Sequence, residues 1–379
     1  MDAGSHPADG RPAWCDHTAL LLQGGGALGA YQAGVYEALH DAGLEPDWIV
    51  GTSIGSVTGA IIAGNPREHR VDRLRAFWTT VTSRPAALIP PRFEEARKAA
   101  NIWSALLTMT LGQPGMFAPL MPSAWWPPPA GSPPTSLYDS APLRETLLRL
   151  VDFDRLNSGA TRYAAGAVNV ESGDTDWFDS AATDIRPEHV LASGALPPAQ
   201  PMVRIGSAFY WDGGLGASTP LLHVLNQAGD ASVLAFQVDL FGAAGALPRD
   251  IWDVLSRQKD IQQSSRTRMA TESALDRLRQ ARLLQGALDK VPDAALTGQE
   301  HVLTQARSAV PRFALLNLIY QQNAYDGQAK DCEFTAAAMR EHWEAGHRDT
   351  VRTLRNSDWL AEPTSPGGVI VHDVHRDAS

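Results

Sequence analysis

The chain has 379 residues, enough for one large domain or two modest ones, and its 44% hydrophobic and 20% charged residues are those of a globular protein rather than a disordered one. A formal net charge of −10 disfavours a general nucleic-acid binder, while leaving room for a local apolar or basic patch that meets a membrane. The two cysteines, Cys15 and Cys332, are far apart, have no metal-ligand spacing, and argue against a disulfide framework, so a reducing compartment is the simpler reading.

Residues 1–17 are polar with Gly and Pro, the composition of a flexible tail, and no basic segment leads into an apolar run as a secretory signal requires. Residues 18–23 form a short apolar run that ends in glycines, the pattern of a buried strand. Over 29–42, Tyr31, Val35 and Leu39 recur about one helical turn apart, and Gly43 supplies a stop. Residues 47–50 predict a second buried strand running directly into Gly51-Thr52-Ser53-Ile54-Gly55, and 57–63 predict a helix. Strands that alternate with helices imply a mostly parallel α/β sheet covered on both faces.

Residues 68–111 are expected to be mostly helical. The stretch 112–142 breaks that pattern with many prolines and the adjacent Trp125 and Trp126, and is expected to be an irregular loop. The two tryptophans suit either a lipid–water boundary or simple packing under the proline run. Residues 143–150 predict an amphipathic helix, 163–170 and 232–240 further strands, and 191–215 loop. A long helix follows over 248–286 with Pro248 placed to start it, then further helices over 300–355 and a tail from about 362. No run is long and apolar enough to cross a bilayer, the nearest being 102–111. The expectation is therefore a cytoplasmic protein, with peripheral membrane contact left open.

Three elements carry chemistry. Gly51-Thr52-Ser53-Ile54-Gly55 is a G-x-S-x-G pattern between a strand and a helix, the context of a nucleophile elbow. Small flanking residues let the turn be sharp, and the following helix aims its N–H groups at the reacting oxygen. Gly24-Gly25-Gly26 exposes bare backbone N–H groups that could hold an oxyanion. Gly24, Gly26 and Gly29 also satisfy the G-x-G-x-x-G dinucleotide fingerprint, so a nucleotide-binding module without hydrolase activity is the alternative. That fingerprint wants an acid at the end of the second strand, whereas Glu45 and Asp47 precede it; no G-K-[ST] supports a P-loop. The third element, Asp212-Gly213-Gly214, could supply the base that a serine needs, or be a plain turn. His223, His301 and His342 are the histidines that a Ser-His-Asp triad would draw on, and His223 reads better as a locally hydrogen-bonded helix residue.

Taken together, Gly24-Gly25-Gly26-Ala27-Leu28-Gly29, Gly51-Thr52-Ser53-Ile54-Gly55-Ser56 and Asp212-Gly213-Gly214 resemble the patatin-like phospholipases in order and spacing. Ala192-Ser193-Gly194-Ala195-Leu196-Pro197 looks like the family's small-residue stretch upstream of its aspartate, and the segment from Asp250 resembles a helical extension on a bacterial branch. The resemblance covers roughly residues 18–245, the expected catalytic domain, with 246–360 as a helical C-terminal extension and 361–379 as a tail. It implies a three-layer core with a mostly parallel sheet. It further implies a Ser53–Asp212 dyad acting on lipid or other hydrophobic acyl esters. Backbone N–H groups of Gly25 and Gly26, joined by Ile54, would form the oxyanion hole, with Gly24 shaping the loop; Gly29, Gly51, Gly55, Gly213 and Gly214 complete the motifs. No cofactor and no metal ion is implied, and oligomeric state is not legible. Two departures stand out. Leu28 lies where the family often has a basic residue, and Ala217-Ser218-Thr219-Pro220 where it often has an asparagine before the proline.

Overall fold

The computed structural model describes residues 10–84, 94–121, 133–216, 220–292, 297–299, 311–322, 330–365 and 368–375. Strand β1 (His17–Leu22) is an apolar run buried along nearly its whole length, as a central strand covered on both faces must be. Helix α1 (Gly29–Asp41) carries the chain to β2 (Trp48–Thr52), which pairs in parallel with β1 and leads straight into α2 (Ile54–Ala63). Helices α3 (Arg70–Val81) and α4 (Glu94–Leu111) follow, then the short antiparallel pair β3 (Ala118–Pro119) and β4 (Tyr138–Asp139). Helices α5 (Ala141–Leu150) and α6 (Phe153–Asn157) return the chain to β5 (Arg162–Asn169), parallel to β2.

Strand β6 (Thr175–Asp179) hairpins onto β5, and α7 (Pro187–Ser193) leads to the hairpin of β7 (Val203–Ile205) and β8 (Ala208–Asp212), whose β8 runs antiparallel to β5. Helix α8 (Pro220–Gln227) precedes β9 (Val233–Asp239), which pairs in parallel with the other side of β1. The long helix α9 (Ile251–Leu288), β10 (Phe313–Ile319), α10 (Ala336–Leu354) and β11 (Val369–Asp373) complete the chain. The sheet order is β11-β10-β9-β1-β2-β5-β8-β7, with β6 beside β5.

Two apolar layers close the sheet. On one face Leu20, Leu22 and Phe236 pack against α1, α2, α3 and α10. On the other, Leu21, Val50 and Ala235 pack under Leu221 and Val224 of α8 and Ala274 and Leu275 of α9. This is the expected three-layer α/β architecture with a mostly parallel sheet.

Several elements differ from the sequence reading. The stretch 191–215, expected to be loop, holds β7 and β8, because Ala208-Phe209-Tyr210-Trp211 is short enough to be hidden between glycines. Residues 300–355, expected to be helical, contain β10, and the expected tail contains β11; both pair into the central sheet. A seven-residue apolar run such as Phe313–Ile319 has no period that separates strand from helix. Helix α9 starts at Ile251 rather than Pro248, capped by the Asp250 carboxylate accepting from the Asp253 N–H. Trp125 and Trp126 lie outside the described residues, as do Ala217, Ser218, Thr219 and His301.

The chain leaves β1 toward β2 on one side and returns at β9 on the other. That reversal makes the carboxyl ends of β1, β2 and β9 a topological switch point, where open α/β sheets place their ligand crevice.

Candidate active site

Strand β2 ends at Thr52, and Ser53 begins α2 with φ 55° and ψ −126°. It is the one non-glycine among the described residues with positive φ, a conformation that costs ~1–3 kcal/mol and persists only where the surroundings enforce it. The enforcement is visible. A Cβ on Gly51 would come within 2.4 Å of the Gly55 carbonyl, and a Cβ on Gly55 within 2.3 Å of the Leu22 carbonyl oxygen. Both glycines therefore let the turn fold back on itself and on β1. The Ser53 N–H is shared between the Ser193 carbonyl and the Ser193 hydroxyl, each at 3.1 Å, and that hydroxyl donates to the Gly166 carbonyl at 2.7 Å. Ser193, fully buried, thus ties the elbow to β5.

Register brings the aspartate in from the other side. Thr52 pairs with Gly166 and Asp212 pairs with Ala167, so Ser53 and Asp212 leave the two strands flanking β5 at nearly one level. Gly213 crosses against the Gly166 carbonyl and the Thr52 methyl, aiming the chain toward the elbow. The Asp212 N–H donates to the Ala195 carbonyl at 2.9 Å, and one carboxylate oxygen accepts from the Gly214 N–H at 2.7 Å. The Ser53 side chain lies beside this carboxyl, close enough for its hydroxyl to pull the carboxyl's pKa down. Asp212 is fully enclosed; burial pushes its carboxyl up to about 6, against the opposing pull of the neighbouring Ser53 hydroxyl and the Gly214 N–H.

The glycine loop closes the third side. Gly24 lies against Ser53, with the direction of its absent Cβ reaching to 2.9 Å from the Ser53 Cβ. Gly25 and Gly26 pass between Leu240 and the Asp331 carbonyl, and Gly29 packs against Ile54. Among the described residues, no protein acceptor pairs with the N–H groups of Gly24, Gly25 or Gly26. Leu28 is fully buried in the core, so no charge replaces the family's frequent basic residue there.

These residues line a cleft of about 350 Å³ whose walls include Thr108, Met116, Phe117, Leu143, Leu196 and Phe334. Its lining is largely apolar, as a ligand pocket for a hydrophobic group requires. Cys332 borders it, but burial pushes its thiol up to about 12, which leaves it neutral and a poor nucleophile. The alternative base is committed elsewhere: His223 Nε2 meets Asp179 at 2.9 Å and its ring stacks on Trp177. Burial pushes the Asp179 carboxyl up, but hydrogen bonds from His223 and Arg162 outweigh it and hold the group well below the usual range. His342 packs edge-on against Tyr320 under α10. The two acids a ribose would need sit at the opposite end of β2: Glu45 holds Arg67, Arg70 and Tyr36, and Asp47 holds Arg11 and the Thr18 N–H.

A family model for patatin-like phospholipase matches residues 20–225, more than half of the chain. The chain belongs to the patatin-like phospholipase family. A second model, described as patatin phospholipase, matches residues 261–366, the segment that supplies most of α9, β10 and α10. Among curated members, the triacylglycerol lipase ptl3 of Schizosaccharomyces pombe is 40% identical over 63 residues, 17% of this chain and 13% of the relative. The lysophospholipase nte1 of Aspergillus niger is 57% identical over 44 residues, 12% of this chain and 3% of the relative. A Caenorhabditis elegans patatin-like phospholipase domain-containing protein is 34% identical over 98 residues, 26% of this chain and 6% of the relative. The chain therefore spans only a small part of the curated patatin-like relatives it matches. The crystal structure of VipD from Legionella pneumophila aligns over 96% of this chain and 72% of its own, with 14% identity and a TM-score of 0.40. Of the patatin-like signature, Ser193 is the residue that sequence reading treated as mere smallness. Its signal was the hydroxyl itself, placed inside a run of Ala, Gly and Leu.

Proposed function

We propose that this protein is a serine acyl hydrolase of lipids that works through a Ser53–Asp212 dyad and an oxyanion hole of glycine N–H groups. The observation that supports the reading best is the convergence of Ser53, the enclosed Asp212 carboxylate and the Gly24, Gly25 and Gly26 loop on one largely apolar cleft. In the forward step Asp212 removes the hydroxyl proton as Ser53 Oγ attacks the ester carbonyl carbon, giving a tetrahedral intermediate. Negative charge collects on the former carbonyl oxygen, to which the N–H groups of Gly25 and Gly26, with that of Ile54 at the start of α2, donate hydrogen bonds; one well-aimed donor is worth about 3–4 kcal/mol of barrier. The intermediate collapses as protonated Asp212 returns the proton to the departing alcohol, leaving an acyl-serine. Water then enters, Asp212 takes a proton from it as its oxygen attacks the acyl carbon, and a second collapse breaks the bond to Oγ, returns the proton from Asp212 to Oγ and releases the acid.

Two features suit this cycle. A carboxyl raised toward 6 is basic enough to accept a proton yet largely ionised at neutral pH. The strained φ of Ser53 holds Oγ at the strand end without a further ordering cost. The substrate class, esters with a long apolar acyl chain, follows from the cleft lining and from the family. The test is a panel of phospholipids, lysophospholipids and triacylglycerols incubated with wild type and Ser53→Ala, with released acids read by mass spectrometry. Acid release that disappears in the variant supports the proposal; release that persists, or none from any lipid in wild type, removes it.

A further inference from the structure

Helix α4 is amphipathic in the wrong direction for a protein surface. Its inward residues are small or polar: Ala105 and Thr108 are buried, and Thr108 lines the cleft. Its outward residues Trp103, Leu106, Leu107 and Leu111 follow the three–four spacing of one helix face and are between 41% and 65% exposed. The inward side is pinned by polar contacts. The Thr108 hydroxyl donates to Gln113 Oε1 at 3.1 Å, the Gln113 amide donates to the Val81 carbonyl, and the Tyr138 hydroxyl donates to the Met109 carbonyl. Arg84 reaches the carbonyls of Leu107 and Leu111 and caps the last turn. The helix is therefore held with its large apolar side chains turned to solvent. A contiguous apolar face of this kind marks an interaction surface.

Two observations fix what that surface meets. Residues 99–138 contain no Asp, Glu, Lys, Arg or His, in a chain one-fifth of whose residues are charged. A protein partner would be expected to find a polar rim there, and an anionic membrane an excess of cations; residues 99–138 offer neither, and the charges at the start of α4, Glu94, Glu95, Arg97 and Lys98, cancel. The helix also borders the cleft: Thr108, on its inward side, lines it, and Met116 and Phe117, just beyond the helix, line the cleft wall. Leu196 lines the cleft and is nearly half exposed. Resting on the hydrolase reading above, we propose that the outer face of α4 lies in the surface of a zwitterionic lipid bilayer, which sets the cleft mouth at the depth of the acyl esters. Trp103 suits the interfacial layer, where an amphipathic ring is favoured. Because the contact is uncharged and the whole chain carries −10, binding is insensitive to salt and does not require anionic lipid.

The test is flotation of the full chain with phosphatidylcholine vesicles, and with phosphatidylserine-containing vesicles for comparison, in low and high sodium chloride. Wild type, Ser53→Ala, Leu107→Glu and Trp103→Glu are compared, with melting temperature and oligomeric state measured for each. The expected result is that wild type and Ser53→Ala float equally at both salts, while each glutamate variant, still folded, binds at least about tenfold more weakly. Two glutamate positions guard against one that fails to fold. The inference is overturned if wild type does not float, if it floats only with anionic vesicles, or if folded variants float as wild type does. It is equally overturned if the variants turn a dimer into a monomer, since a second copy would then cover the face. Vesicle binding without lipid hydrolysis would keep the docking surface and remove the hydrolase reading.

Discussion

Replacing Asp212 by Asn is expected to make the protein more stable while disabling it. In the folded chain burial pushes this carboxyl up from its ordinary 3.8 to about 6, even after the Ser53 hydroxyl and the Gly214 N–H pull it down. The folded state thus binds a proton more tightly than the unfolded chain does. The sign follows: the wild-type carboxyl costs nothing below about pH 4, where both states are protonated, and its cost grows until the pH passes 6. A difference of roughly 2 units corresponds to roughly 3 kcal/mol of stability withheld above pH 6. An Asn carbonyl can still accept from the Gly214 N–H and carries no charge to desolvate. For a chain of this size, with an unfolding entropy near 2 cal/mol/K per residue, ~3 kcal/mol is a rise of about 4 °C in melting temperature. Differential scanning fluorimetry of both proteins from pH 4 to 8 reads the effect as a difference. Asp239 is also buried with its carboxyl pushed up to about 6, but it is present in both proteins and cancels. Ester turnover of the variant is expected to fall by several orders of magnitude, because an amide cannot take the serine proton. A variant no more stable than wild type at pH 8, or equally shifted at pH 4 and 8, would refute the buried-charge reasoning.

Three further outcomes can be checked. Turnover of a soluble ester, as kcat/KM, should rise about tenfold per pH unit below 6 and level off above it, since only ionised Asp212 is a base; a flat profile from pH 4 to 8 would point to another group. Ser193→Ala removes the hydroxyl that links the Ser53 N–H to the Gly166 carbonyl, so it should cost about 1–3 kcal/mol by thermal unfolding. It should also lower kcat about tenfold while leaving KM nearly unchanged, the split expected of a positioning residue and not of a purely structural one. Lys330 and Asp260 form an ion pair at 2.6 Å with both side chains 2% exposed, joining α9 to the segment beside Gly26. Lys330→Met should destabilise by about 3–5 kcal/mol in chemical denaturation, and Lys330→Met with Asp260→Leu should recover most of the loss.

What could be read from the sequence was local. The strand–turn–helix around Ser53 was legible because apolar run, glycine turn and helix adjoin one another. The same holds for the glycine loop after β1. What could not be read was pairing. That Asp212 sits opposite Ala167 while Thr52 sits opposite Gly166 is a register between strands over a hundred residues apart, and the motif strings gave order but not contact. The strands β7, β8, β10 and β11 were missed for a related reason: they are short or uniformly apolar, and tertiary pairing rather than periodicity makes them strands. Ser193 was hidden because its role lies in two hydrogen bonds that no spacing reports.

In the proposed dyad Ser53 is a nucleophile because Asp212 accepts its proton. Reaction with a fluorophosphonate, followed by peptide mapping, tests it most directly. A single adduct on Ser53 in wild type, formed far more slowly in Asp212→Asn, is the predicted result. An adduct on another residue, or a Ser53 adduct formed at the same rate without the carboxylate, would contradict it.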